Sequence, residues 1–129
     1  MGYLGTYRVK RMLQKILTEY GPSLGISYAL LYKPYRSSNH VLILKFLESV
    51  PRDHAFEIRL DFATLLPPMR LDIYDARDVP RDLLKHIFKH GEILYIGNYD
   101  EYIKDLESSF ISREQNVSGW RETELLNYV

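Results

Sequence analysis

Apolar residues at Val9, Met12, Leu13, Ile16, Leu17 and Tyr20 recur every three or four positions, the rhythm of one face of an amphipathic helix. Gly21-Pro22 predicts its end, because proline lacks the N–H that a further turn needs. Residues 26–32 and 41–47 are mostly apolar rather than alternating, which predicts strands covered on both faces. From 53 to 66 the residues Phe56, Leu60, Ala63 and Leu66 return to helical spacing, and Pro67-Pro68 forces a stop. Residues 70–74 (RLDIY) read as a third strand. Asp78-Val79-Pro80 has the form of a helix start, with Pro80 pre-set for the first turn. Leu83, Leu84, Ile87 and Phe88 give that helix a buried face, and Gly91 is its expected C-cap. Residues 92–96 (EILYI) are short and β-rich, and Tyr99, Tyr102, Ile103, Leu106 and Phe110 mark a last helix. Beyond Ser112 the pattern weakens into a tail that carries the only tryptophan, Trp120.

The element order is therefore α-β-β-α-β-α-β-α. It predicts an α/β (α+β) domain over residues 1–112, one mixed sheet with helices packed on it, and a tail over 113–129. The length of 129 residues and 46% hydrophobic content support one core and not two. Charge gives no direction, because 17 basic residues balance 17 acidic ones, so a nucleic-acid partner is not expected. With no cysteine, disulfides, thiolate metal sites and a cysteine nucleophile are excluded. No apolar run is long enough to span a bilayer and the N-terminus lacks the form of a signal peptide, so a cytoplasmic protein is expected.

The segment LDIYDARDVPRDLLKHIFKHGEILY, residues 71–95, is the most specific in the chain. It resembles the C-terminal half of the minimal nucleotidyltransferases, the MNT proteins paired with HEPN-domain partners in prokaryotes. There a strand of the form VDLVDL leads through a proline to a helix, a glycine and a short LLY strand. Here Leu71-Asp72-Ile73-Tyr74-Asp75, Pro80, Leu83, Leu84, Ile87, Gly91, Leu94 and Tyr95 fill those places in order. The first helix and the ALLY strand also fit, so the resemblance runs from about Arg8 to Leu106. It implies a nucleotidyltransferase-like fold, a HEPN-type partner, and an antitoxin-like role.

The same resemblance implies a catalytic pattern: a Gly-Ser turn after the first strand, then Asp-x-Asp opening the second. Two carboxylates two apart on a strand share a face and jointly hold magnesium, and a third on the neighbouring strand completes a clamp for phosphoryl oxygens. In this chain Lys33-Pro34 is expected where Gly-Ser would be, and His40-Val41-Leu42 where Asp-x-Asp would be. Only Asp72 has a counterpart, either a residual catalytic ligand or an ordinary polar residue on the exposed face of a half-covered strand. Pro34 also removes an N–H donor where a phosphate would take one. The expectation is a degenerate site with no cofactor; magnesium and ATP enter only if activity is retained.

Several other groups are candidates. Lys33, Arg36 and Lys45 could contact a nucleotide phosphate as point charges, or form a solvated loop. His40 could be a substituted metal ligand or a solvated strand end. His86 and His90 have the i, i+4 spacing of a metal pair without a third ligand nearby, and their place at a helix C-terminus also suits the helix dipole. Asp53, Glu57 and Asp61 make an acidic stripe, a solvated face or a rival carboxylate cluster for a metal. Among 11 tyrosines, several in the first third are candidates for a partner surface. Three readings stay open: a partner-binding pseudoenzyme, a transferase with an atypical site, and a nucleotide-binding module.

Overall fold

A computed structural model describes residues 6–37, 39–65 and 71–115. Among them, four helices and four strands run in the order α1 (Thr6–Leu24), β1 (Ile26–Tyr32), β2 (His40–Phe46), α2 (Arg52–Leu65), β3 (Leu71–Asp75), α3 (Arg81–His90), β4 (Glu92–Ile96) and α4 (Tyr99–Gln115). A 3-10 turn, Ala76–Asp78, joins β3 to α3. The strands form one mixed sheet in the order β3-β2-β1-β4. The tight connection between β1 and β2 makes them antiparallel, and β4 also runs antiparallel to β1. β2 and β3 are parallel, as two strands joined through a helix on one face must be. This is the predicted mixed-sheet α/β fold.

Both faces of the sheet are covered. Leu42, Leu44 and Phe46 of β2 enter one core with Leu13 and Leu17 of α1 and Ala55, Ile58 and Phe62 of α2. Ile43 enters the other, with Tyr28, Leu30 and Tyr32 of β1, Ile87 of α3 and Tyr102 of α4. All seven residues of β1 are buried, which explains a strand that is apolar apart from Ser27. No helix among the described residues is long and apolar enough to cross a membrane.

The structure departs from the sequence reading at four places. α1 runs through Gly21-Pro22 to Leu24, with Pro22 inside its last turn. The residue before proline usually leaves the helix because its Cβ meets the ring, and Gly21 has no Cβ. That absence also admits the Tyr95 ring, which an added Cβ would meet at 2.7 Å. The turn after α1 is instead set by Gly25, at φ +72. In α2 the element is as expected but the buried face is not. Ala55, Ile58 and Phe62 face the core, while Phe56 (51%), Leu60 (50%) and Ala63 are exposed and Leu66 lies outside the described residues.

Pro80 caps α3 from one position before its first turn, and Gly91 ends it in extended backbone (φ −86) rather than left-handed backbone. Gly91 is needed for space: a Cβ there would lie 2.7 Å from the Ile87 carbonyl and 2.8 Å from that of Leu31. Finally, the boundary expected at Ser112 falls inside α4, which continues to Gln115.

The end of β3 is held by a buried ion pair. Asp75 is 1% exposed and accepts hydrogen bonds from the Arg77 backbone (2.9 Å), Nε (3.1 Å) and Nη2 (2.7 Å). Arg77 Nη1 donates onward to the Val50 carbonyl at 3.0 Å, tying β3 to the loop before α2. Burial pushes the Asp75 carboxyl up, but the Arg77 hydrogen bonds outweigh it and hold the group below the usual carboxylate range. Replacing Asp75 with Asn leaves the arginine without a counter-charge and is expected to cost about 3 kcal/mol in urea denaturation at neutral pH. A carboxyl depressed in the fold contributes fully above the unfolded value of about pH 4 and loses that contribution as pH falls through the folded value. The gap between wild type and Asp75→Asn should therefore narrow below about pH 4; a gap that stays constant through acid would contradict the assignment.

Candidate functional site

Cross-strand pairing sets which side chains meet at the hinge end of the sheet. Tyr32 pairs with Val41, and Val41 pairs in parallel with Asp72. Paired residues on neighbouring strands share a face, so Tyr32, Val41 and Asp72 make one row beneath α3. Asn39 sits two residues before Val41, and its Nδ2 donates to Asp72 Oδ2 at 3.3 Å. Its Oδ1 is buried with no hydrogen-bond partner among the described residues. Asp72 itself is half-buried.

This register corrects the expected counterparts of Asp-x-Asp by one residue. Leu42 is fully buried against α1 and α2, on the opposite face from Asp72. His40 precedes it by two and pairs with Leu71, which packs into that same core. The two positions that look toward Asp72 are Asn39 and Val41. Sequence reasoning missed Asn39 because β2 is apolar on both sides and offers no alternation, so a one-residue slip goes unseen. His40 is 9% exposed, and burial followed by the nearby Lys33 charge lowers its pKa.

The hinge is a tight turn. Ser37 N donates to the Pro34 carbonyl at 3.1 Å, and Arg36 takes φ 64 at the third position. That is a type II arrangement, which favours glycine at this place. A residue with a side chain pays roughly 1–2 kcal/mol there. The turn holds Tyr35 outward at 75% exposure, with the Arg36 guanidinium 5.2 Å from its ring centroid. Lys33 and Arg36 are both exposed at the hinge. Lys45, the third cation expected here, is elsewhere. It lies four residues past Val41, about 13 Å along the strand, and pairs with Asp105 (3.2 Å) and Glu101 (3.7 Å) of α4. Asp105 also accepts from the buried Tyr28 hydroxyl at 2.8 Å, and burial together with that carboxylate pushes the hydroxyl's pKa up.

Above the row, His86 Nε2 lies 2.9 Å from the Tyr32 hydroxyl, and the His86 and His90 rings are 4.6 Å apart. Burial, then His90 and Lys89, lower the His86 pKa. No group of three or more histidines, aspartates or glutamates that could hold a metal occurs among the described residues.

The resemblance implies magnesium, which takes two carboxylates, or one with substrate phosphates, in near-octahedral geometry. Among the described residues, those facing Asp72 are one neutral amide, whose N–H is already turned to the carboxylate, and one aliphatic side chain. The residues present do not fit the ion. The buried Asn39 Oδ1 is one donor where a clamp needs several.

Comparison with solved structures places this geometry in a known fold. The chain is similar to a structure of the tri-AMPylated HEPN toxin of Shewanella oneidensis in complex with MNT antitoxin, at 14% identity and TM-score 0.64 over 92% of this chain and 98% of that one. It is similar to the MntA–HepT toxin–antitoxin structure at 16% identity and TM-score 0.61, over 92% and 95% of the two chains. A toxin–antitoxin structure with AMP-PNP matches at 16% identity and TM-score 0.61, over 92% and 97%. At such identities the likeness is one of fold, and the fold is that of the nucleotidyltransferase-like MNT components. No protein-family pattern matches the sequence, and no curated protein matches it.

Two measurements check this site. Asn39→Asp with Val41→Asp should rebuild a carboxylate trio with Asp72 and confer manganese binding by calorimetry. His40→Asp with Leu42→Asp should bind no metal and lose the folded state, because it buries charge among α1 and α2. The reverse outcome would return the site to residues 40 and 42. Separately, the His86 ring should titrate by NMR below the ordinary value of about 6.5; a midpoint above it would contradict the burial and the neighbouring cations.

Proposed function

We propose that this chain is a catalytically degenerate nucleotidyltransferase-fold protein that acts by binding a protein partner, as the antitoxin-like half of a pair with a HEPN-type protein. The observation that carries this reading is the Asn39–Val41–Asp72 row, where one carboxylate stands in place of a metal clamp. A magnesium-dependent transfer through this row would have lost two of three charged ligands. Each ~1.4 kcal/mol of lost transition-state stabilisation slows a reaction about tenfold. What the fold keeps is a rigid sheet that displays a strained hinge turn. Two of the residues exposed there, Tyr35 and Arg36, are of types favoured at interface centres. The similar structures are toxin–antitoxin complexes, which supports a HEPN-type partner for this chain as well. The cysteine-free composition suits a prokaryotic cytoplasm, where we place the pair.

In this reading neutralisation is by contact, and chemistry at Asp72 is dispensable. Co-expression with a HEPN-type toxin should give a complex that elutes together and restores growth. Asp72→Ala should protect equally well, whereas Tyr35→Ala with Arg36→Ala should weaken capture by about tenfold or more. Loss of protection in Asp72→Ala, with folding and capture intact, would favour a working transferase instead. A second reading, a phosphate-binding module without chemistry, is favoured by the two exposed hinge cations Lys33 and Arg36. Calorimetry with ATP separates the two, because a pure interaction protein should show no heat of binding.

A further inference from the structure

The formal net charge of zero hides a segregation. Arg8, Arg11 and Lys15 lie three and four apart on α1, so they share one stripe, and all three are exposed. Val9, Leu13 and Leu17 hold the opposite side of that helix in the core, so the stripe points away from the sheet. On α2, Asp53, Glu57 and Asp61 make an exposed acidic stripe, again opposite the buried Ala55, Ile58 and Phe62. Both helices cover the same face of the sheet: α1 packs on β1 and β4, and α2 on β3. The outer surface of this layer is therefore net basic over α1, where Glu19 ends the stripe, and net acidic over α2, where Arg52 is paired with Asp78 and Arg59 lies over Phe56.

Apolar side chains are interleaved with the charges. Met12 (41%) stands beside the basic stripe, and Phe56 (51%) and Leu60 (50%) beside the acidic one. The charges are not consumed within the molecule. Among the described residues no ion pair involves Arg8, Arg11, Lys15, Asp53 or Asp61, and Glu57 meets only His54, at 3.8 Å.

We infer that this layer is the contact surface for a second copy of the chain, in a two-fold dimer that sets α1 of each copy on α2 of the other. A two-fold axis lying in the contact plane, between α1 and α2 and along them, carries the basic half of one copy over the acidic half of its mate, twice. An in-plane axis across the helices would set basic on basic and acidic on acidic, and like charges opposed across a contact cost several kcal/mol. The pattern thus selects both the occupant and the orientation, since a two-fold interface must complement itself. At 1.5 Å per residue the 19 residues of α1 and 14 of α2 span ~28 and ~21 Å. Two helices side by side give a face of about 500 Å² per copy, below the ~800 Å² of a standard interface. The dimer is therefore weak, concentration-dependent and sensitive to salt. It uses the layer opposite the Asp72 row, so it is independent of the partner-binding proposal and leaves the hinge open.

Sedimentation equilibrium on the purified chain tests it. The wild type should dimerise as concentration rises at about 0.1 M salt and dissociate at about 1 M, where the screening length drops from ~10 to ~3 Å. Arg11→Glu with Lys15→Glu makes both stripes acidic, and Glu57→Lys with Asp61→Lys makes both basic. Each variant alone should dimerise at least about tenfold more weakly, with an unchanged melting temperature. Mixed one to one, the two should form a heterodimer, because each acidic stripe then meets a basic one. A wild type that stays monomeric at low salt, variants that dimerise unimpaired, or a mixture that fails to pair would each overturn the inference. If the wild type is monomeric while the α1 variant loses a HEPN-type partner, the layer is that partner's contact instead.

Discussion

The parallel pairing of β2 with β3 is the constraint on which the candidate site depends. Because Val41 stands opposite Asp72, every second residue of β2 is committed to the α3 and α4 side, and those between are committed to α1 and α2. A slip of one residue would drive Leu42 and Leu44 out of a dry core and place Asn39 away from its carboxylate. The register is held at the far end by the buried Asp75–Arg77 pair and its bond to Val50, and along its length by Leu42, Ile43 and Leu44, none exposed. The chemistry available near Asp72 is thus set by packing at positions far from it.

Much of the fold was legible. Strands β1 and β2 announce themselves as mostly apolar runs without alternation, because both faces are covered, and the α3 segment shows its buried face through Leu83, Leu84, Ile87 and Phe88. α2 was harder for a physical reason. It carries two apolar stripes, Phe56-Leu60-Ala63 and Ala55-Ile58-Phe62, and spacing alone cannot say which meets the sheet. The stripe with Ile58 and Phe62 won the core, and the other is left on the surface. The course of α1 through Pro22 was hidden too, since the stop signal of proline is relieved by a glycine whose role appears only when Tyr95 packs against it.

The candidate site was legible only in part. Asp72 was visible from its strand and from the proline-led helix after it, whereas Asn39 was not, because a doubly buried strand has no polar side to count from. Lys45 looked like a member of the hinge by proximity in sequence, but β2 carries it to the opposite end of the sheet and α4 neutralises it with Asp105 and Glu101. The His86–Tyr32 contact joins residues 54 apart in the chain and had no sequence signal.

At the hinge end of the sheet, Asn39 donates to Asp72 and Tyr32 meets His86. The hinge beside it spends strain at Arg36 to hold a tyrosine and an arginine outward. The most direct test is adenylyl transfer from α-labelled ATP to a co-purified HEPN-type protein, with magnesium or manganese. The account predicts no labelled protein from the wild type. Label that forms with the wild type and disappears in Asp72→Ala would contradict it.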